Sequence, residues 1–124
     1  MKDFLLISLG AMTGANLRYE VSRLAMNHIS ASFPWGTMLI NATGSFILGF
    51  FLVWTSERVL ADPRWRPLVA VGFCGGYTTF SSYSFETFQL FEQGHYRLAL
   101  INFAGNNLFA LLAVVCGAAL ARAV

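Results

Sequence analysis

From Trp35 to Thr55 the chain carries no charged residue, a run as long as the roughly 20 apolar residues that a helix needs to cross the hydrocarbon core of a bilayer. In lipid no water competes for backbone N–H and C=O groups, so a run of this kind must satisfy them internally and fold as a helix. Phe33, Pro34 and Trp35 precede it, and Glu57 and Arg58 follow it; an aromatic residue at the boundary suits the headgroup layer. A second uncharged run extends from Leu68 to Phe85, after the polar hinge Asp62-Pro63-Arg64-Trp65-Arg66-Pro67, and a third from Leu98 to Ala121, ending at Arg122. The uncharged stretch Phe4 to Leu17 is shorter and falls within the length of a signal-peptide core, with Lys2 in front and Ala15 behind. Past Arg18, however, Val21, Leu24, Ala25 and Met26 keep a helical spacing, which favours a tilted first helix over a cleaved leader.

Composition agrees. Of 124 residues, 56% are hydrophobic and 11% charged, whereas a soluble domain carries about 25% charged residues to cover its surface. The expected fold class is an all-α membrane protein, a single transmembrane domain over 1–124 with helices at about 4–26, 35–55, 68–91 and 98–121. The net charge of +2 supplies no basic patch for nucleic acid, so no nucleic-acid partner is expected. Cys74 and Cys116 lie apart within apolar runs, and His28 and His95 lack ligand spacing, so neither a disulfide framework nor a side-chain metal site is indicated.

With four spans, Lys2, Arg58, Arg64, Arg66 and Arg122 fall on one side and Arg18, Arg23 and Arg97 on the other, 5 against 3. Orientation follows the asymmetry of Lys and Arg in short loops, so a near balance permits insertion in both directions.

Inside the spans the polar residues form lines. Gly10, Gly14 and Arg18 recur every four residues on the first helix, a small-residue line suited to close helix packing. On the second, Thr37, Asn41, Gly44, Ser45 and Leu48 share a stripe; on the fourth, Asn102, Gly105, Asn106 and Ala113 do. Such amides either join helices by hydrogen bonds or line a hydrated path. The third run reads Gly72-Phe73-Cys74-Gly75-Gly76-Tyr77-Thr78-Thr79-Phe80-Ser81-Ser82-Tyr83-Ser84-Phe85-Glu86. A Gly-Gly pair followed by two threonines at membrane depth predicts a helix broken near Gly75–Thr79, and irregular backbone there should line a cavity or bind an ion. The donors on offer are amides, hydroxyls and the positive edges of aromatic rings, which suit a small anion. No carboxylate lies within Phe4–Leu17 or Trp35–Thr55 to carry a cation or proton, and Glu86 runs against an anion path unless protonated or turned away.

At these residues the chain resembles the Fluc/CrcB family of fluoride channels. Gly14-Ala15-Asn16-Leu17-Arg18-Tyr19, the run Gly36-Thr37-Met38-Leu39-Ile40-Asn41-Ala42-Thr43-Gly44-Ser45 and the segment Gly72 to Glu86 look like the family's three signatures in order, and the likeness covers nearly the whole chain. It implies an antiparallel, dual-topology homodimer in the bacterial inner membrane, exporting fluoride passively through two pores built from both subunits, with a structural sodium ion at the centre. By the same resemblance Asn41 is the pore amide, Phe80 and Tyr83 form the aromatic box, and Thr79, Ser81, Ser84 and Glu86 lie along or beside the path. Gly75 and Thr78 offer carbonyls to sodium. Tyr83 departs from the family, which has Phe there; the added hydroxyl could trap the anion, widen selectivity or slow passage.

Other classes fit less well. A small multidrug exporter needs an acidic residue in its first membrane helix. An enzyme of the lipid-kinase sort needs clustered carboxylates, which Glu57, Asp62, Glu86 and Glu92 do not form by spacing, so no enzymatic activity is expected. A purely structural membrane subunit accounts for the glycines but not for the hydroxyl-rich third segment.

Overall fold

The computed structural model describes residues 1–30, 32–57 and 62–124; Arg58, counted above among the basic residues, lies outside them. The elements are α1 (Lys2–His28), α2 (Trp35–Glu57), a π-wound segment π1 (Arg66–Cys74), the single turn α3 (Gly75–Tyr77), α4 (Phe80–Glu92) and α5 (Tyr96–Ala123). Among the described residues there is no strand.

Local chemistry sets the ends. Pro34 precedes the first turn of α2, where a missing N–H costs nothing. In the hinge before π1, Asp62 Oδ1 accepts from the Arg64 backbone N–H at 2.9 Å, and the Arg64 side chain grips the same carboxylate. The Arg64 guanidinium hydrogen-bonded to Asp62 holds that carboxyl below its ordinary pKa. Between α4 and α5 the chain reverses at Gly94, φ 77°. There the His95 N–H returns to the Leu90 carbonyl (2.9 Å) and the Gly94 N–H to the Phe91 carbonyl (3.0 Å), the paired bonds of a left-handed helix cap that glycine adopts without strain.

Two backbone-close contacts organise the packing. α1 lies on π1 and α3, where a Cβ at Gly10 would strike the Leu68 carbonyl oxygen, one at Gly14 the Phe73 carbonyl oxygen, and one at Gly76 would stand 2.6 Å from the Ala11 oxygen. α2 lies on α5, where Gly49 faces the Val114 backbone and Gly117 faces the Phe46 backbone. Small residues permit this approach in a setting without a hydrophobic driving force between helices. Ile40 and Asn102 are fully buried between them.

The outer faces are apolar. Leu100, Phe103, Leu111 and Val115 of α5 and Phe85, Phe88 and Phe91 of α4 are all more than half exposed, far more apolar surface than a soluble monomer leaves open. α2 and α5 are each long and apolar enough to cross a membrane.

The third segment differs from expectation in two ways. Arg66–Cys74 is wound as a π-helix rather than a regular α-helix. Within the expected window, the glycine pair is not where the helix breaks: Gly75 and Gly76 stay helical, and the chain turns extended at Thr78 (ψ 160°) and Thr79 (φ −152°, ψ 117°). Glycine weakens a helix, but Gly76 is held by its backbone contact with Ala11, and side chains beyond the pair dictate the break.

Candidate functional site: a polar groove at the helix break

The break is built by Asn41. Its Oδ1 accepts from the Thr79 N–H at 2.9 Å, while its Nδ2 donates to the Thr79 carbonyl at 3.1 Å. A continuous helix would give the Thr79 N–H to the Gly75 carbonyl four residues back; Asn41 diverts it. On the far side Thr79 caps α4, its hydroxyl oxygen accepting from the Ser82 N–H at 3.1 Å, the capping arrangement that fits a threonine between extended chain and helix.

From Asn41 an amide chain runs through the interior. The other Nδ2 proton of Asn41 goes to Asn106 Oδ1 (2.9 Å), Asn106 Nδ2 to Asn102 Oδ1 (2.9 Å), Asn102 Nδ2 to Thr87 Oγ1 (2.9 Å), and the Thr87 hydroxyl to the Tyr83 carbonyl (2.8 Å). Each amide donates in the same sense, so every step satisfies the acceptor of the next, as buried polar groups require. α2, α4 and α5 are thereby tied around the break.

Beside it lies a groove of about 340 Å³ lined by Asn41, Ser45, Leu48, Thr78, Thr79, Phe80, Tyr83, Asn106, Asn107, Ala110 and Leu111. None of these is an acid or a base. Phe80 is 76% exposed and Tyr83 only 5%; their rings meet at 5.4 Å and 63°, edge toward face. The Tyr83 hydroxyl oxygen accepts from Asn107 Nδ2 at 3.0 Å.

Of the residues singled out in the sequence, Asn41, Thr78, Thr79, Phe80 and Tyr83 therefore converge on one groove. Ser81 stands at its margin, its hydroxyl 3.4 Å from that of Thr79, and Ser84 is half-buried on α4. Glu86 lies elsewhere. It lines a separate cavity of about 310 Å³ with Ser22, Ser30, Trp35, Thr37 and Gln93. Its Oε1 accepts from the Thr37 hydroxyl at 2.6 Å, and Oε2 is buried without a partner among the described residues. Arg18, at the end of the glycine line of α1, reaches the Thr78 carbonyl with Nη1 at 3.4 Å. Asn107 went unnoticed in the sequence because it sits one residue off the α5 stripe; the signal that points to it is the unusual Tyr83, whose phenol needs a partner when buried.

The fit to a hard cation can be judged from the carbonyls. Gly75 has lost its helical donor to Asn41, is exposed, and has open space where a Cβ would stand, so its oxygen suits such an ion. Thr78's oxygen accepts from the Arg18 guanidinium, whose positive charge competes with a cation there.

A helical bundle with apolar outer faces, its buried amides converging on an uncharged polar groove at a helix break, defines a membrane protein built to pass or hold a small polar species. The chain belongs to the CrcB family, described as CrcB-like protein, Camphor Resistance (CrcB), whose model matches residues 5–118. It is similar to proteins named fluoride-specific ion channel FluC. That of Koribacter versatilis (strain Ellin345) is 51% identical over 124 residues, covering 100% of this chain and 98% of the relative. That of Sulfurihydrogenibium sp. (strain YO3AOP1) is 42% identical over 122 residues, 98% of each chain. That of Coxiella burnetii (strain CbuK_Q154) is 46% identical over 101 residues, 81% of this chain and 82% of the relative.

Proposed function

We propose that this chain is a fluoride-selective channel that lets fluoride leave the cell passively across the bacterial inner membrane. The observation that carries the reading is the groove at the Thr78–Thr79 break, lined by amides, hydroxyls and ring edges with no acid or base among them. Fluoride is small and strongly hydrated, so a path must replace its water with protein donors; the hydroxyls and ring edges of this groove are neutral and do so without the deep trap that a fixed cation would create. Ring edges add positive quadrupole density in the plane of Phe80. Kinship with proteins named as fluoride channels supplies the identity of the anion.

In this reading α1, α2, the π1–α3–α4 segment and α5 are four spans, and two copies insert in opposite directions to form an antiparallel homodimer with two pores. Asn41, Thr79, Phe80 and Tyr83 lie on the path, with Ser81 and Ser84 beside it and Glu86 toward one end. The carbonyls of Gly75 and Thr78, doubled by the dimer, would hold a structural sodium ion, which would supply fixed positive charge between the subunits. Asn41 contributes by freeing the Gly75 oxygen; Arg18 either shares the Thr78 oxygen or swings away.

Efflux from liposomes loaded with fluoride or chloride tests the reading. Purified protein should release fluoride at least about a hundredfold faster than chloride, the discrimination that a site of several convergent donors can reach. Equal release of both ions, or none, refutes it.

A further inference from the structure

We propose that the Tyr83 phenol, set in place by Asn107, is a hydrogen-bond donor to the anion and determines how tightly this chain holds it; the proposal rests on the fluoride reading above. The Asn107 amide is anchored first. One Nδ2 proton goes to the Phe103 carbonyl of its own helix at 2.7 Å, and the other to the Tyr83 hydroxyl oxygen at 3.0 Å. A phenol is donor and acceptor at once. Asn107 occupies the acceptor side, and among the described residues the Tyr83 O–H donates to no protein atom. Tyr77, by contrast, shares its hydroxyl with Thr43 at 3.0 Å.

The ring cannot easily turn away from this position. Tyr83 is 5% exposed, stands edge-on to Phe80 at 5.4 Å and stacks on Phe103 at 6.4 Å. Asn107 is exposed on the same groove, so the oxygen that it holds lies at the groove wall. The nearby Asn41 amide has spent both its protons on Thr79 and Asn106. The phenol is thus a donor left uncommitted where the other conspicuous donor is fully used. An anion in the groove would accept from it, a charge-assisted bond stronger than the one that water offers. Of the three consequences the added hydroxyl could have, this geometry selects tighter holding of the anion. Asn107 is a positioning residue; Tyr83 touches the ion.

The test is fluoride efflux from liposomes as a function of fluoride concentration. Tyr83→Phe should raise the half-saturating concentration about tenfold, the scale of one hydrogen bond to a charged group, and raise the maximal rate. Asn107→Leu should raise half-saturation less, and the double variant should match Tyr83→Phe alone, because without the hydroxyl Asn107 has nothing to orient. Independent of flux, fluoride added to detergent-solubilised wild type should perturb tyrosine ultraviolet absorbance. That change should vanish in Tyr83→Phe and persist in Tyr77→Phe. Half-saturation unchanged or lowered in Tyr83→Phe, multiplicative effects in the double variant, or an absorbance change that survives Tyr83→Phe overturns the proposal while wild-type fluoride selectivity stands. Wild-type liposomes that pass no fluoride overturn the functional reading and this proposal with it, a result recognised by the missing wild-type signal.

Discussion

At the residue scale, Asn41 carries more of the site than its neighbours because its amide oxygen and both of its amide protons are engaged, by the Thr79 N–H, the Thr79 carbonyl and Asn106. Single side-chain hydrogen bonds between membrane helices average only about 0.6 kcal/mol. Removing one is therefore survivable, whereas stranding its partners is not. Asn41→Asp keeps the acceptor for the Thr79 N–H but sets carboxylate oxygens against the Thr79 carbonyl and Asn106 Oδ1. It should lower the unfolding free energy by about 1–3 kcal/mol and abolish most fluoride efflux. Phe80→Ile leaves the amide chain untouched and removes a largely exposed ring whose contact is with Tyr83, so it should reduce efflux with little loss of thermal stability. Val115→Ala, on the opposite face of α5 from Asn106, is the control and should alter neither. Normal selective efflux from both site variants would place the path elsewhere.

At the element scale, the two adjacent glycines of α3 make opposite demands. A Cβ at Gly76 would stand 2.6 Å from the Ala11 carbonyl oxygen and 2.9 Å from the Ala11 Cα, and backbone atoms cannot yield as a side chain can. A Cβ at Gly75 meets nothing. Gly76→Ala should therefore force α1 from α3 and cost about 1–3 kcal/mol, as overpacking does. Gly75→Ala should leave the subunit's own fold intact, with the modest gain of about 0.5–1 kcal/mol that alanine brings to a helix. If a partner subunit and a cation face Gly75, the same change should weaken dimerisation. Thermal melts in detergent, paired with size-exclusion chromatography, separate the two effects. Equal destabilisation of the monomer by both substitutions would contradict the packing described for α3.

At the scale of the whole molecule, the proposed antiparallel assembly depends on insertion in both orientations. The hinge already holds Arg64 and Arg66, but Arg64 is paired with Asp62. The lowered pKa of Asp62 keeps that carboxylate charged down to pH values below the ordinary aspartate range, where protonation would at last release the arginine. Two lysines added between Pro63 and Pro67 should tip the balance and fix one orientation. Reporter fusions at the C-terminus should then show a single sidedness where the parent shows both. Efflux should disappear, and return on co-expression with a copy locked the other way. Full activity of the locked chain alone would exclude an antiparallel pair.

The sequence by itself marked this chain as an all-helical one with apolar, membrane-capable runs, because uncharged stretches and their borders report directly on transfer to lipid. It also marked the third segment as irregular, since glycines and threonines at membrane depth advertise weak backbone bonding. Only the tertiary structure decided where that segment breaks. The glycine pair is permissive, while the break itself requires an acceptor for the Thr79 N–H, and that acceptor, Asn41, lies 38 residues away in sequence. The same holds for Asn107 and Tyr83, and for the separation of Glu86 from the groove. Periodicity tells which residues share one helix face, but which faces meet, and which donor finds which acceptor, depends on how closely the glycine contacts let the helices approach.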